Sequence, residues 1–502
     1  MIWRILSTIR NRSIKKNLLN VAAVQKSLLT KIFRRLEGCR IANDYALDRS
    51  VSIDEFRQFF PVTDYHFYKP YIEKILNGEQ SVLFSGRPVC IAQTGGSTSD
   101  PKQFPLGKHL IRSYRQFNLD MAFCYMQDSG NYNILSDRLF LVVASPNSTL
   151  SDQAIPVGRA TGVMAQIAPA ILKRRYVPKM SVILNQEIGK KIAETIDQAL
   201  LNKDHVRMAA GLTPYLMATF NNLIIRTQQE GHDIQAINQI FPNMKVAFHG
   251  GTTFNLYSET MSRLTGGTID HRNVYSAAEG PIAFQYTGSS PGLVPALDAV
   301  LFEFLPVMSL DHTDHETLLL DEIECNIPYY ILITTQGGLL RYRIGDQVEF
   351  VSKNPPLMRV LGRIEDQIDL SGEKMCVGEA SDALSKTARF LGLIITDFII
   401  CPALSGLEEG NVRHEWIIES NAVPNDLTAF GSVLEENLFK HNKRYQQLRN
   451  QEFALSTPEF RFVSNGTFQC YMEQEMIYGQ QKLFHMHNDR VCAERLIQYD
   501  KH

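Results

Sequence analysis

Between Thr94 and Lys102 the chain reads TGGSTSDPK, in which six of nine residues are Gly, Ser or Thr and a single lysine follows a proline. That composition suits an anion cradle. Glycines let backbone N–H groups converge on a phosphate, hydroxyls add neutral donors, and Lys102 adds a mobile positive charge. It equally suits an ordinary surface turn. A Walker-type loop is excluded, because that pattern needs Gly directly before Lys and Ser or Thr directly after, whereas Lys102 sits between Pro101 and Gln103. Pro101 biases Asp100 toward extended backbone, so the segment reads as a loop that wraps a polyphosphate, not as the mouth of a helix.

Two later stretches carry related chemistry. In VYSAAEG, residues 274 to 280, small residues at a strand end leave room for a flat ligand beside the backbone. Tyr275 is placed to stack on a base, and Glu279 offers a hard oxygen ligand suited to Mg. In LLRYRIGDQVEF, residues 339 to 350, Gly345 permits a tight bend and Asp346 leaves it as a fixed carboxylate. Such a carboxylate binds a ribose diol through two acceptor oxygens. Taken singly, each stretch is also plain turn chemistry.

The elements that must hold these residues are strands and helices in alternation. DRLFLVVAS near 140, MKVAFHGG near 247, YYILITT near 332 and QVEFVS near 349 read as strands; SVILNQEIGKKIAETIDQALL and GLTPYLMATFNNLIIRTQQ read as helices. This alternation predicts an α/β body with a substantially parallel sheet. After about residue 370 the pattern changes. GLIITDFIICPA and RHEWIIES, separated by SGLEEGNV, predict two strands of a hairpin or of a longer excursion, followed by a helix from Asn425 to about Arg449. EFRFV, Asn465-Gly466 and TFQCYM then predict a hairpin with a tight type I′ turn. The expected domains are therefore a large one over residues 1–370 and a compact α+β one over 371–502, joined by LGRIEDQIDLSGEKM as a hinge.

A chain of 502 residues exceeds what one core usually supports. Its net charge of −2 argues against a nucleic-acid binder. Eight scattered cysteines without metal-ligand spacing suit reduced thiols, hence a cytoplasmic location. The sequence has no apolar run long enough to cross a membrane. The first forty residues carry ten Lys or Arg against Glu37 alone, with Ile2, Leu6 and Ile9 on one helical face and Leu18, Val21 and Leu28 on another. They read as a basic amphipathic arm packed on the body, with peripheral membrane contact as the alternative.

In order along the chain, TGGSTSDPK, HGGTT at 249–253, YSAAEG, YRIGD, Gly362-Arg363 and GEK resemble the adenylate-forming, firefly luciferase-like enzymes. More narrowly, with FRQFFPVTDYHFYKPYIEKILNGE, IPVGRATG, MAAGLTPYL, FPNMKVAFHGGTTFNLY, TQGGLLRYRIGD, HNKRYQQLRN and GQQKLF, the chain resembles the auxin-responsive acyl-acid amido synthetases. The resemblance implies a large adenylate-forming α/β domain of mixed sheets and helices, and a small mobile α+β C-terminal lid. It implies a ligase that uses ATP and Mg to join a carboxylic acid to an amino acid through an acyl-AMP. It assigns Thr94, Gly96, Ser97, Thr98 and Lys102 to phosphate binding, Gly250 and Gly251 to the adenine, and Tyr275 with Glu279 to adenine and Mg. Asp346 falls to the ribose, and Arg363 and Lys374 to the hinge side of the nucleotide. Lys482 is the lysine brought to the α-phosphate and acyl oxygens by the C-terminal domain. The helix after the loop, with Arg112, Tyr114, Arg115 and Phe117, and segments 155–162 and 211–220 are the expected acyl-pocket walls.

Two positions depart from the general adenylate-forming pattern, Gly95 in place of Ser and Ser99 in place of Gly. They keep open a non-catalytic nucleotide- or acid-binding homologue. An acyl-AMP former that uses a thiol or polyamine acceptor is the other alternative.

Overall fold

The computed structural model describes residues 2–94, 102–146, 155–251, 258–307, 317–363, 366–371, 373–405, 412–450, 455–475 and 483–500, with Pro214 and Arg363 described by backbone alone. Contacts divide the chain into two compact units. The first is Met1–Gly251, Thr268–Ile344 and Val348–Arg359; the second is Thr252–Gly267, Gly345–Gln347 and Val360–His502.

A seven-stranded sheet forms the centre of the first unit. It contains β3 (Arg138–Val142), β5 (Tyr176–Val177), β6 (Val206–Leu212), β7 (Val246–Gly250), β8 (Asp270–Ser276), β9 (Pro281–Phe284) and β10 (Val294–Pro295), in the order β10-β9-β8-β7-β6-β3-β5. The run from β8 to β5 is parallel and β9 and β10 are antiparallel. Every residue of β7 is buried, as a parallel strand covered on both faces requires. Beside this sheet stand β1 (Cys90–Gln93), β2 (Gln103–Leu106) and β4 (Val157–Arg159), in the order β2-β1-β4. A further sheet has the order β11-β12-β13-β14, with β11 (Val300–Pro306), β12 (Tyr329–Thr335), β13 (Tyr342–Lys353) and β14 (Pro356–Arg363). The strands expected near 140, 247 and 332 are β3, β7 and β12, and QVEFVS lies inside β13.

Local polar chemistry moves some boundaries. The helix expected from SVILNQEIGKK onward is two helices, Met180–Ile183 and Ile188–Leu201. Asn185 interrupts it by accepting the Glu187 N–H at 3.0 Å, a side-chain turn that competes with the helical bond. The helix Ile2–Leu18 packs on the body as expected, but through the opposite face. Ser7, Asn11, Ile14 and Leu18 are buried, while the predicted inner residues Ile2, Leu6 and Ile9 face solvent. Its rotation is set by polar partners on the helix Lys108–Ser129. Arg10 clasps Asp120 through two bonds of 2.7 Å, and the Gln127 amide donates to the Ser7 and Thr8 hydroxyls.

The second unit holds β15 (Gln367–Ile368), β16 (Met375–Cys376) and a sheet of order β17-β18-β19, with β17 (Ile395–Pro402), β18 (His414–Ser420) and β19 (Glu459–Val463). As expected, β17 and β18 are antiparallel. The predicted helix from Asn425 breaks at Asn442 into Leu427–His441 and Lys443–Asn450. The Asn442 amide there donates to the Glu373 carbonyl and the Glu379 carboxylate. The predicted hairpin at Asn465-Gly466 is incorrect: β19 runs parallel to β18, and TFQCYM begins the helix Thr467–Glu475. Gly466 has the positive φ of a turn, 90°. The Glu419 carboxylate on β18 then accepts the Gly466 and Phe468 N–H groups at 2.9 and 2.8 Å, so an anion caps a helix start. Phe468 and Tyr471, three apart, both reach the core with Ala493 and Leu496, a helical spacing that a hairpin would not satisfy.

Candidate active site

The phosphate-loop candidate is spanned by a pair of antiparallel strands. β1 ends one residue before Thr94 and β2 begins one residue after Lys102, in the register Gln93↔Gln103. The Thr94 N–H donates to the Lys102 carbonyl at 3.0 Å, which closes the base of the loop. Gly96, Ser97 and Thr98, together with Gly95 and Ser99, lie outside the described residues. The Lys102 ammonium stands 5.8 Å from the centre of the Tyr65 ring. Tyr65 in turn accepts the Gln103 N–H at 2.9 Å, so one tyrosine steadies both the strand and the lysine.

That pair of strands is tied to one edge of the large sheet. β4 runs parallel to β1 with Arg159 opposite Gln93, and Gly158 bridges Pro146 just beyond β3. A side chain at Gly162 would lie 2.4 Å from the Ala144 carbonyl, so this junction admits only glycine. β3, β6, β7 and β8 are parallel, so their carboxyl ends open on the same side. In open α/β sheets the ligand crevice lies there. Gly250 ends β7 opposite Val274, where a Cβ would fall 1.9 Å from the Val274 carbonyl oxygen. Gly251 follows at φ 91°, so the backbone itself forms this part of the edge.

Tyr275 and Glu279 complete the same edge. Tyr275 is half-buried near the end of β8, and the turn after it closes with the Ala277 N–H on the Gly280 carbonyl at 3.0 Å. Tyr114, from the helix Lys108–Ser129, donates its hydroxyl to the Ala277 carbonyl and so fixes that turn. Burial, then the charge of Glu279, raises the Tyr114 hydroxyl well above its usual range, which places the buried Glu279 carboxylate within electrostatic reach. Gly250, Gly251, Tyr275 and Glu279 are therefore carried at neighbouring strand ends of the large sheet, and Thr94 and Lys102 by the β1-β2 pair of the same unit, which β4 bridges to that sheet beyond β3.

Arg159 is a residue that the motifs did not single out. Burial lowers its pKa below the ordinary guanidinium value, with Tyr215 opposing the shift, so the two expected acyl-wall segments come within electrostatic reach here. Its buried Nη1 has no hydrogen-bond partner among the described residues. The signal available in sequence was weak: one Arg in IPVGRATG. Arg115, by contrast, is exposed and donates to the Ile167 carbonyl at 3.1 Å, and Arg112 is exposed.

The remaining candidates belong to the second unit or to its strand ends. Asp346 is buried in β13 directly after Gly345, whose φ of 94° bends the strand without ending it. Arg363 closes β14 after Gly362, where a Cβ would lie 2.7 Å from the Val377 side chain; the Arg363 side chain is not among those described. Lys374 is exposed and holds a positive φ of 45°, uncommon for a residue with a Cβ. The loop before it is pinned by the buried Glu373. This carboxylate accepts the Leu370 N–H at 2.9 Å and the Ser371 N–H at 2.8 Å, and lies 2.8 Å from His414 Nε2. Burial pushes the Glu373 carboxyl up, and the bond and charge of His414 outweigh it, leaving the pKa below the ordinary value. Lys482 lies outside the described residues.

Three family models match successive parts of the chain: the GH3 family N-terminal domain over residues 10–224, its central domain over 293–363 and its C-terminal domain over 378–491. The chain belongs to the GH3 family. Among its relatives, an indole-3-acetic acid-amido synthetase, GH3.3 of Arabidopsis thaliana, is 22% identical over 93% of this chain and 89% of the relative. A jasmonoyl-L-amino acid synthetase, JAR4 of Nicotiana attenuata, is 23% identical over 89% of this chain and 87% of its own length. The fold is that of the solved GH3.15 acyl acid amido synthetase, with a TM-score of 0.77 over 98% of this chain and 96% of that one, at 16% identity. Within the GH3 chain, the N-terminal match contains Thr94 to Lys102, the central match contains Asp346 and Arg363, and the C-terminal match contains Lys482. Gly250, Gly251, Tyr275 and Glu279 fall between the first two matches.

Proposed function

We propose that this GH3 protein is an ATP-dependent acyl-acid amido synthetase, which adenylates a carboxylic acid and passes the acyl group to the amine of an amino acid. The observation that carries this reading is the gathering of Gly250-Gly251, Tyr275 and Glu279 along the carboxyl edge of a parallel sheet, with the loop base on the β1-β2 pair that β4 bridges to that sheet beyond β3. A ribbon of backbone that admits no side chain at Gly250 gives a flat base a surface to lie on, and Tyr275 stands beside it. Among the described residues no cluster of three metal-ligating side chains exists. That suits Mg, which takes one or two carboxylates and leaves the rest of its octahedron to phosphates and water. Glu279 is the residue that would hold it, and a bound Mg neutralises phosphoryl charge.

A carboxylate is a poor acyl donor because its leaving oxygen is poor. Attack of the acid on the α-phosphorus of ATP expels pyrophosphate and gives an acyl-AMP with a good leaving group, on which the neutral amine then acts. The protein's task is positioning and charge stabilisation in a site closed to water. Lys102 and Lys482 supply positive charge to the phosphoryl oxygens, and Asp346 fixes the ribose. Arg159 receives the acid's carboxylate, and Tyr114 locks the turn that carries Glu279. Residues 371–502 act as the lid that delivers Lys482, with Arg363 and Lys374 at its hinge. The reading places the protein in the cytoplasm.

Calorimetric titration with Mg-ATP tests it without knowledge of the acid. Loss of a charge-assisted ribose contact in Asp346→Ala weakens binding about tenfold to 150-fold, from about 1.5 to 3 kcal/mol. Equal affinity in the two proteins overturns the ribose assignment, and absence of binding in the parent overturns the enzyme reading. Pyrophosphate exchange over a panel of carboxylic acids then identifies the substrate.

A further inference from the structure

The helix Ile2–Leu18 is seated with its polar side inward. Ser7, Asn11, Ile14 and Leu18 face the body, and Arg10 holds Asp120 at 2.7 Å and Asp298 at 2.6 Å. At 3.6 residues per turn, the opposite side carries Ile2, Ile5, Leu6 and Ile9 in succession, then Arg12 and Lys16. The four aliphatic side chains are 65, 50, 42 and 61% exposed, and Arg12 and Lys16 are exposed beside them. Surface helices ordinarily bury their aliphatic stripe against the core. Here the ion pairs of Arg10 hold that stripe in water, and contiguous exposed apolar surface of this kind marks a docking face.

We propose that this face docks the protein on an anionic lipid surface, with Ile2, Ile5, Leu6 and Ile9 entering the boundary between headgroups and acyl chains and Arg12 and Lys16 on the headgroups. Charge selects this occupant. The first forty residues hold ten basic side chains and one acid, and the acids bonded to this helix among the described residues, Asp120 and Asp298, lie on its inner side with Arg10. A second copy docked in parallel would set Arg12 and Lys16 against like charges, and one docked antiparallel over the stripe would leave both charges outside the contact. A single helix face is convex and offers a peptide no groove, whereas a lipid boundary conforms to it. Among the described residues no helix is long and apolar enough to cross a membrane, so the helix lies in the plane of the interface.

Cosedimentation of the full chain with vesicles tests the proposal. The protein pellets with phosphatidylserine-containing vesicles and stays in solution with pure phosphatidylcholine. Arg12→Gln with Lys16→Gln lowers partitioning about 25-fold, at about fivefold for each charge near the surface. Ile5→Ser with Ile9→Ser abolishes it, and melting temperature and pyrophosphate exchange are unchanged in both variants. Failure of the parent to bind phosphatidylserine vesicles, or binding that survives both double substitutions, overturns the proposal. So does self-association of the parent in sedimentation velocity that Ile5→Ser with Ile9→Ser removes, since the occupant would then be a second copy.

Discussion

Replacing Arg159 by methionine separates substrate recognition from folding. The guanidinium is half-buried, burial lowers its pKa, and its buried Nη1 lacks a hydrogen-bond partner among the described residues. A partly desolvated, unpaired cation costs the free protein stability, so Met, of similar length and without charge, leaves the melting temperature unchanged or raises it. If Arg159 pairs with the acid's carboxylate, the substitution removes a charge-assisted bond of about 1.5 to 3 kcal/mol. That is about a tenfold to 150-fold rise in KM for the acid, by the usual 1.4 kcal/mol per decade. Acid-dependent pyrophosphate exchange at saturating Mg-ATP reads it, with a parallel thermal melt. KM for ATP stays within about twofold, because the nucleotide edge is built from other strands. A rise in KM for ATP with the acid's KM intact refutes the assignment. A fall of several degrees in melting temperature refutes it differently, by giving Arg159 a structural partner.

Lys482→Ala slows adenylation in single turnover by about a hundredfold to a thousandfold, as loss of one charge-stabilising donor does, with the Mg-ATP dissociation constant little changed; equal damage to both would sink the role. Glu373→Gln breaks a buried pair and lowers the unfolding free energy at neutral pH by about 3 to 5 kcal/mol, read by urea denaturation. Because the folded Glu373 carboxyl is depressed, its contribution is present above the ordinary carboxylate range and lost as pH falls through the folded value. The gap between variant and parent therefore closes in acid, and a pH-independent gap contradicts the pairing. Lys191 gives a slope of the same sign in the alkaline range. Burial pushes its ammonium down to about 8, and its Nζ donates to the Val143 carbonyl and the Ser145 hydroxyl at 2.8 and 2.9 Å. Between pH 8 and 10.5 the unfolded chain binds more protons, so the parent gains stability relative to Lys191→Met over that range; parallel melting curves across it exclude the shift.

What the sequence made legible was whatever is encoded locally. YYILITT and MKVAFHGG are strands because an unbroken apolar run buried on both faces has few other solutions, and the glycines at 250, 251 and 345 sit where close approach or positive φ demands them. The misreadings share one cause, a distant partner. Asn465-Gly466 makes its turn, but Glu419, about fifty residues earlier, supplies the carboxylate that turns the next segment into a helix. The N-terminal helix is amphipathic as its spacing says, yet Arg10 meets Asp120 and Asp298 and rotates the aliphatic face outward. No periodicity contains those acids.

The same distinction divides the two halves of the proposed chemistry. The groups proposed to face the nucleotide are strand-end glycines, a turn carboxylate and the base of a hairpin loop, each set by its own few residues, so a short motif can specify them. On the proposed reading acid recognition depends on a conjunction: Arg159 on a three-residue strand bridged to the chain just beyond β3, and Tyr215 more than fifty residues later on the helix that follows β6, the parallel neighbour of β3. Changing either wall alters charge and shape around the carboxylate without touching Gly250 or Glu279. A fold organised this way exchanges its acid while conserving adenylation. It follows that substitutions at 159 and 215 shift the ranking of acids in the exchange screen and leave ATP affinity alone, whereas Gly250→Ala, which forces a methyl into the Val274 carbonyl, impairs exchange with every acid alike.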